Sequence, residues 1–218
     1  MPTGYPITLD LAARTVVIVG GGRVAARKAR GLLDAGARCV RVVAPEILAD
    51  VPEAVERVVG RYHAGHLDGA ALVFAATDDP AVNRQVVADA HERGLWVNRA
   101  DADEEGGSDF STPATHRDGE LVVTVSAGGS PALAARARDE IAASLAPRWS
   151  AMAEAMQILR PRVLASGWPI EVRRSAFRAL ARDDAMTVLA EQGLEAVWQW
   201  CTDHVTETSR TSPRHSDP

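Results

Sequence analysis

Apolar runs and amphipathic stretches alternate along the first hundred residues of the chain. The apolar runs, at residues 15–19, 40–44, 70–76 and 95–97, have the length and composition of buried strands. Helical patterns cover residues 23–34 and 81–93, and glycines follow them at Gly36 and Gly94. Strands that alternate with helices over short connections predict an α/β fold with a parallel sheet covered on both faces.

The pattern changes after residue 100. Residues 101–109 carry five acidic residues and no basic ones, which predicts an exposed loop. A β-rich run at 120–126 precedes a helix from Pro131 to about Leu145, and helices are predicted at 150–159, 171–181 and 184–204. We therefore predict a nucleotide-binding domain at residues 1–113, a linking region at 114–150, a helical domain at 151–206 and a disordered tail at 207–218.

Composition narrows the class of protein. The net charge of −5 over 218 residues argues against a nucleic-acid partner, because such a protein needs a basic face. A run of eighteen apolar residues is absent, so we expect no membrane span, and the first ten residues lack a secretory pattern, so we expect a cytoplasmic protein. Two cysteines, and histidines without ligand spacing, predict neither a disulfide framework nor a metal site.

A glycine pattern, Gly20-x-Gly22-x-x-Ala25, stands between the first predicted strand and helix. In this context Gly20 permits a tight turn, Gly22 lets the backbone approach a pyrophosphate, and Ala25 permits close helix packing. The helix that starts at Arg23 and Val24 adds amides and positive potential for an anion. This predicts a dinucleotide site of the Rossmann type; the alternative is a glycine turn with a purely structural role.

Two further strand ends bear on the cofactor. The second strand lacks the usual terminal acid and ends at Pro45 and Glu46, one of which would meet the ribose. Arg23 and Arg41 would instead attract a 2′-phosphate, which leaves NAD or NADP open at this point. Thr77 and Asp78 follow the next strand at the ligand-binding edge, although the neighbouring Asp79 has an alternative role as a helix N-cap.

Candidate substrate and catalytic groups follow later strands. Asn98 and Asp101 stand past the last apolar run, where a carboxylate would face the reactive end of the cofactor and accept a proton; the alternative is a merely solvated acidic loop. A second glycine loop, Ser126 to Pro131, would bind an anion through its amides or be a plain turn. Of the 24 basic residues only Lys28 is a lysine, and arginine suits carboxylate partners.

The ordered motifs resemble one known family. They are residues 17–29, 43–46, 75–79, 82–83, the step from Val97-Asn98 to Asp101, 110–114 and 128–134. Together they resemble precorrin-2 dehydrogenases, the first module of siroheme synthases, over roughly residues 5–150. The resemblance implies a Rossmann domain, a dimerisation region and a small helical domain, in two intertwined chains.

The resemblance also implies an activity: NAD-dependent oxidation of precorrin-2 to sirohydrochlorin, with ferrous iron insertion in some relatives. It assigns the catalytic role to Asp101 and the NAD contacts to Gly20, Gly22, Arg23, Val24, Pro45, Glu46, Thr77 and Asp78. Precorrin-2 carries eight carboxylates, so arginines that flank a cleft would recognise it. The substrate candidates are Asn98, Ser126, Gly128, Gly129, Ser130, Arg136 and Arg138.

Three departures from the family pattern qualify these assignments. Arg99 and Ala100 replace apolar residues, and Asp103 replaces an expected proline in a longer loop, so Asp103 competes with Asp101 as the base. The second glycine loop is one residue short, and Ala127 stands where relatives often have a hydroxyl group. The competing functions are a non-catalytic NAD(H) sensor and a chelatase without dehydrogenase activity.

Overall fold

The computed structural model describes residues 4–100 and 108–211, with side chains through residue 206. It divides into two compact units, residues 1–112 and residues 113–218, each of which is described by itself. Across the described ranges, the model contains no helix whose length and apolar character would allow it to cross a membrane.

The N-terminal unit is built on a five-stranded parallel sheet. Its strands are β1 (Thr15–Val19), β2 (Cys39–Ala44), β3 (Glu56–Val59), β4 (Ala70–Ala75) and β5 (Trp96–Arg99), in the order β3-β2-β1-β4-β5. The helices are α1 (Arg23–Asp34) and α2 (Pro80–Glu92), with a short 3₁₀ turn at Ala64–Leu67. Val19 of β1 pairs with Val43 of β2 and Ala75 of β4, so the carboxyl ends of the three central strands are level. The predicted parallel α/β sheet is confirmed.

Burial of both faces of β1 explains why its sequence is continuously apolar. Val16 and Ile18 belong to the cluster that contains Ala25 and Ala29 of α1. Val17 and Val19 belong to the opposite cluster, which contains buried side chains of α2. Small alanines let α1 lie close to the sheet, which fixes the start of the helix directly after the β1 strand. Edge strand β3 was not predicted, because its four residues are mostly exposed and give no apolar run.

The C-terminal unit starts with a hairpin, β6 (Ala114–Asp118) and β7 (Leu121–Val125), followed by α3 (Pro131–Ser144). Four helices complete it: α4 (Arg148–Ala165), α5 (Ile170–Leu180), α6 (Asp183–Gln192) and α7 (Leu194–Thr211). Their apolar faces meet in one core that includes Leu159, Val163, Leu180, Val197 and Cys201.

Two predictions for this unit need correction. The single helix predicted over residues 184–204 is wrong: the chain turns at Gly193, whose φ of 85° favours glycine and ends α6 before α7 begins. The disorder predicted from residue 207 is also wrong for its first five residues, since α7 extends to Thr211; residues 212–218 lie outside the described residues. Thr206, the last residue whose side chain is described, donates its hydroxyl to the carbonyl of Thr202 (2.7 Å) within this helix.

Candidate dinucleotide-binding and active site

Three successive glycines form the turn between β1 and α1, and each meets different surroundings. The Gly20 N–H donates to the carbonyl of Val43 (2.9 Å), and a Cβ at Gly20 would collide with the carbonyl group of Ala76. Gly20 also has a φ of 129°, which side chains rarely adopt. A Cβ at Gly21 would collide with the carbonyl oxygen of Glu46. The turn is therefore packed against the ends of β2 and β4.

Gly22 differs from its two neighbours because nothing lies within 4 Å of the position of a Cβ. It is the N-cap of α1, with an extended φ of −87°, and no side chain caps the first turn of the helix. The first turn also contains no acidic residue, and its Arg23 is exposed. Free amides, positive helix potential and open space beside the backbone fit the pyrophosphate of a dinucleotide.

The chain after β2 lies against this turn. The N–H of Leu48 donates to the carbonyl of Gly21 (3.0 Å). Pro45 and Glu46, which lie between the end of β2 and Leu48 in the chain, are exposed. Arg41, one of the two arginines that left NADP open, is engaged elsewhere: its Nε donates to Glu56 Oε2 (2.9 Å) and its Nη1 to the carbonyl of His66 (3.1 Å). Its guanidinium is thus held toward β3, while Arg23, the other arginine, stays exposed.

The turn after β4 is fixed by a side chain to which the sequence analysis gave no role, although it lies in the motif at residues 82–83. Asn83 of α2 is fully buried, and its Oδ1 accepts from both the N–H (3.1 Å) and the hydroxyl (2.8 Å) of Thr77. Its Nδ2 donates to the Thr77 carbonyl (2.9 Å). Asp78 is exposed, and Asp79 caps α2 by accepting from the Ala81 N–H (2.8 Å), which confirms its alternative role. A polar residue on the buried face of a predicted helix was the available signal for Asn83.

At the end of β5, Asn98 is buried with an exposed fraction of 8%. Its Oδ1 accepts from Lys28 Nζ (2.8 Å), and its Nδ2 donates to the carbonyl of Phe110 (2.9 Å). The N–H of Ala100 donates to the carbonyl of Ala75 (2.8 Å), so the chain leaves the sheet beside the end of β4. The candidate bases Asp101 and Asp103 lie outside the described residues.

Lys28 is a second group that sequence reasoning did not place in the site. It lies in α1, and its ammonium is 4.5 Å from the centroid of the Phe74 ring. Burial, together with the smaller effect of the neighbouring charge of Arg27, lowers the pKa of Lys28 to about 8. No sequence signal pairs it with Asn98, because the two residues are 70 positions apart.

The second glycine loop belongs to the C-terminal unit. Ser126, Gly128 and Gly129 are exposed, and Ser130 caps α3 by accepting from the N–H of Leu133 (3.4 Å). The capping bond matches the plain-turn alternative for Ser130, while anion binding by the loop stays a prediction.

The two arginines of α3 that were predicted to bind substrate already have acidic neighbours. Arg136 pairs with Glu140 (3.1 Å) and Arg138 with Asp139 (2.6 Å). Glu140 and Asp139 are 69% and 68% exposed, although Arg138 itself is only 28% exposed. Ion pairs with such exposed acids are weak, so they do not prevent either arginine from binding a further carboxylate.

Comparisons with known proteins agree with this geometry. Residues 7–114 match a family model described as NAD(P)-binding. The siroheme synthase of Chromobacterium violaceum is 42% identical over 176 residues, which cover 78% of this chain and 37% of that protein. The siroheme synthase of Tolumonas auensis is 34% identical over 205 residues, covering 92% of this chain and 43% of that protein. The chain thus spans less than half the length of these relatives.

A solved structure described as SirC, precorrin-2 dehydrogenase, has the same fold, with a TM-score of 0.74 at 24% identity; the match covers 92% of this chain and all of that one. The glycine turn and the family model define the N-terminal unit as a NAD(P)-binding domain of the Rossmann type. The chain belongs to the family of the N-terminal region of siroheme synthases, which its motifs predicted. The predicted dinucleotide cofactor is also confirmed.

Proposed function

We propose that this chain catalyses the NAD-dependent oxidation of precorrin-2 to sirohydrochlorin, in siroheme or cobalamin biosynthesis. The observation that carries the proposal is the β1–α1 turn, where Gly20 and Gly21 are closely packed and Gly22 leaves space for a pyrophosphate. This site occurs in a chain related to siroheme synthases. When bound there, NAD supplies the acceptor for the hydride that the macrocycle loses.

The residues that hold the cofactor follow from the sheet. Gly20, Gly22, Arg23 and Val24 surround the open first turn of α1 and bind the pyrophosphate. Pro45 and Glu46, which are exposed above Gly21, meet the adenosine ribose. Thr77 and Asp78 line the end of β4, on the other side of β1, and orient the nicotinamide half.

Oxidation also removes a proton, and Asp101 is the base that we assign to it. Asp101 directly follows Ala100, whose N–H is bonded to Ala75 at the end of β4. The chain returns close by, because the N–H of Arg99 donates to the hydroxyl of Ser108 (2.8 Å). The described residues on either side of 101–107 thus lie at the sheet edge that carries Thr77, and we propose that a carboxylate between them reaches a substrate next to the nicotinamide.

The substrate carboxylates are assigned to polar groups that present donors. They are Asn98 in the N-terminal unit and Ser126, Gly128, Gly129, Ser130, Arg136 and Arg138 in the other. The arginine ion pairs with Glu140 and Asp139 exchange readily for carboxylates of the macrocycle, because both acids are about two-thirds exposed, at 69% and 68%.

An anaerobic assay with precorrin-2 and NAD tests the proposal. We expect NADH and sirohydrochlorin to form in equal amounts, and Asp101→Asn to lose most of the turnover while it keeps its affinity for NAD. The Asp103→Asn variant is the matched control, and the loss would move to it if Asp103 were the base. NAD binding without any oxidation of precorrin-2 would replace this proposal with the sensor function, and iron insertion alone would replace it with the chelatase.

We also propose a homodimer, since the start of the C-terminal unit exposes apolar surface. The described side chains of the β6–β7 hairpin include none that is buried, and α3 buries only Ala134. Val122, Leu133 and Ile141 are 42%, 57% and 40% exposed. A two-stranded hairpin is marginal by itself, so a second copy of this region is the expected cover.

Sedimentation velocity tests the dimer. The chain should sediment at twice its mass of 23.2 kDa, and Leu133→Glu should shift it toward the monomer. Ile170→Glu is the matched control, since Ile170 is 55% exposed on α5, away from the hairpin in sequence. A monomeric wild-type protein would contradict the proposal. The cytoplasmic location stays a prediction.

A further inference from the structure

Lys28 occupies an unusual place for a basic side chain. Every other one of the 24 basic residues is an arginine, and most of the charged residues described on the helices are exposed. The ammonium of Lys28 instead lies between Asn98 Oδ1 (2.8 Å) and the ring of Phe74 (4.5 Å to its centroid). The cation thus bonds to one neighbour and covers the face of another.

These contacts form a closed circuit. Asn98 donates from Nδ2 to the Phe110 carbonyl (2.9 Å), and the ring of Phe110 meets the ring of Phe74 edge-on at 5.4 Å between centroids. The Phe74 ring then receives the ammonium of Lys28. The Asn98 amide accepts through its oxygen and donates through its nitrogen, so only one orientation of the amide satisfies both hydrogen bonds.

The circuit joins four parts of the N-terminal unit. Lys28 belongs to α1, which starts at the dinucleotide turn, while Phe74 and Asn98 belong to β4 and β5. Phe110 belongs to the chain that returns after residues 101–107, where Ser108 and Asp109 also bond to β5. One ammonium therefore connects the cofactor helix to both segments that flank residues 101–107.

A charged ammonium at the position of Lys28 costs free energy, and the fold alone does not require a charge there. Burial lowers the pKa of Lys28 to about 8, so the charged form is disfavoured relative to water. A methionine would fill a similar volume without this cost. An arginine would bring a larger planar group between the amide and the ring, so the compact ammonium fits this space better. Retention of a disfavoured charge beside a candidate site is typical of function.

We propose that Lys28 is a positioning residue for the oxidation: its ammonium orients Asn98 and, through Asn98 and Phe110, fixes the two segments that flank residues 101–107. The inference rests on the proposed function, because its consequence is the orientation of Asn98, which that function assigns to the substrate. Lys28 has no direct role in holding the dinucleotide, so its loss affects the rate and not cofactor binding.

The test compares Lys28→Met with Arg27→Met, which removes an exposed charge from the adjacent position of α1. With saturating NAD, Lys28→Met should lower kcat for precorrin-2 oxidation at least about tenfold and leave the Kd for NAD within about threefold. Its Tm should stay close to that of the wild type, because removal of a buried charge offsets the hydrogen bond lost by Asn98 Oδ1. Arg27→Met should match the wild type in all three measurements.

A double-mutant cycle then asks whether Lys28 acts through Asn98. Lys28→Met in an Asn98→Ala background should cause almost no further loss of kcat, since the positioned group is already gone. Because the chain has one lysine, ε-¹³C-lysine gives a single side-chain signal, which should shift in Asn98→Ala without any turnover measurement.

Each outcome has one meaning. A Lys28→Met variant with the kcat of the wild type would overturn the role of Lys28, as would additive losses in the cycle or a loss of kcat that only accompanies a fall in Tm. A wild-type protein that produces no NADH from precorrin-2 would instead refute the proposed function itself, whatever the lysine signal shows.

Discussion

The substitution Gly22→Ala separates cofactor binding from folding at the β1–α1 turn. Gly22 has extended backbone angles that alanine adopts freely, and no atom lies within 4 Å of the new methyl position. The weaker N-cap lowers the free energy of unfolding by about 0.5–1 kcal/mol, and the reduced freedom of the unfolded chain raises it by about 0.4–1 kcal/mol. The free energy of unfolding without cofactor should therefore change by less than about 0.5 kcal/mol.

Cofactor binding should respond much more strongly. The methyl group would occupy the space through which the backbone of Gly22 approaches the pyrophosphate, and the phosphate would have to move away from the amides of α1. We expect a loss of about 2 kcal/mol, which corresponds to a Kd for NAD about 30-fold higher. Isothermal titration calorimetry measures the Kd, and thermal unfolding without NAD measures the stability.

Gly20→Ala is the matched control at the other end of the turn. Its methyl would collide with the carbonyl of Ala76, and φ is 129°, so the apo protein should lose about 3 kcal/mol and its Tm should fall by about 10 °C. The reasoning is refuted if Gly22→Ala binds NAD as tightly as the wild type, or if it destabilises the apo protein as much as Gly20→Ala does.

Three further predictions concern the surroundings of the turn. Folding lowers the pKa of Lys28 from its ordinary 10.5 to about 8, so the unfolded chain binds more protons between these two pH values. In urea unfolding, the free energy of unfolding of the wild type should therefore rise by up to about 3 kcal/mol relative to Lys28→Met from pH 8 to 10.5. Parallel pH curves for the two proteins would contradict this. Asp79→Ala removes the N-cap of α2 and should cost about 1 kcal/mol by the same method, with an unchanged value excluding the cap. Asn83→Ala leaves Thr77 without its buried partner and should cost about 2 kcal/mol while raising the Kd for NAD; a stable variant with unaltered NAD binding would show that Asn83 does not position the turn.

The sequence predicts those parts of the N-terminal unit in which local pattern and burial coincide. β1 is continuously apolar because both faces of the sheet are covered, and the glycines that follow it report directly on close backbone approach. β3 and β6 were missed because their exposed residues give no apolar period. The break at Gly193 was missed because apolar residues continue across it into α7.

The site itself was only partly predictable, for a physical reason. The Gly20–Val24 turn and the cap at Asp79 depend on neighbouring residues, so their sequence signals are local. The contact between Lys28 and Asn98 forms only when α1 packs on the sheet, and it joins positions 70 residues apart in the chain. The role of Asn83 was hard to predict for the same reason, since it depends on a hydrogen bond to a turn that precedes its own helix.

Direct hydride transfer between precorrin-2 and NAD is the central claim, and an isotope experiment measures it. Precorrin-2 with deuterium at the carbon that is oxidised would be incubated anaerobically with the protein and unlabelled NAD, and the reduced nucleotide analysed by mass spectrometry. The account predicts one deuterium in each NADH, and loss of that product in the Gly22→Ala variant at low NAD. Sirohydrochlorin that forms without deuterium in the nucleotide, or no reduced nucleotide at all, would contradict it.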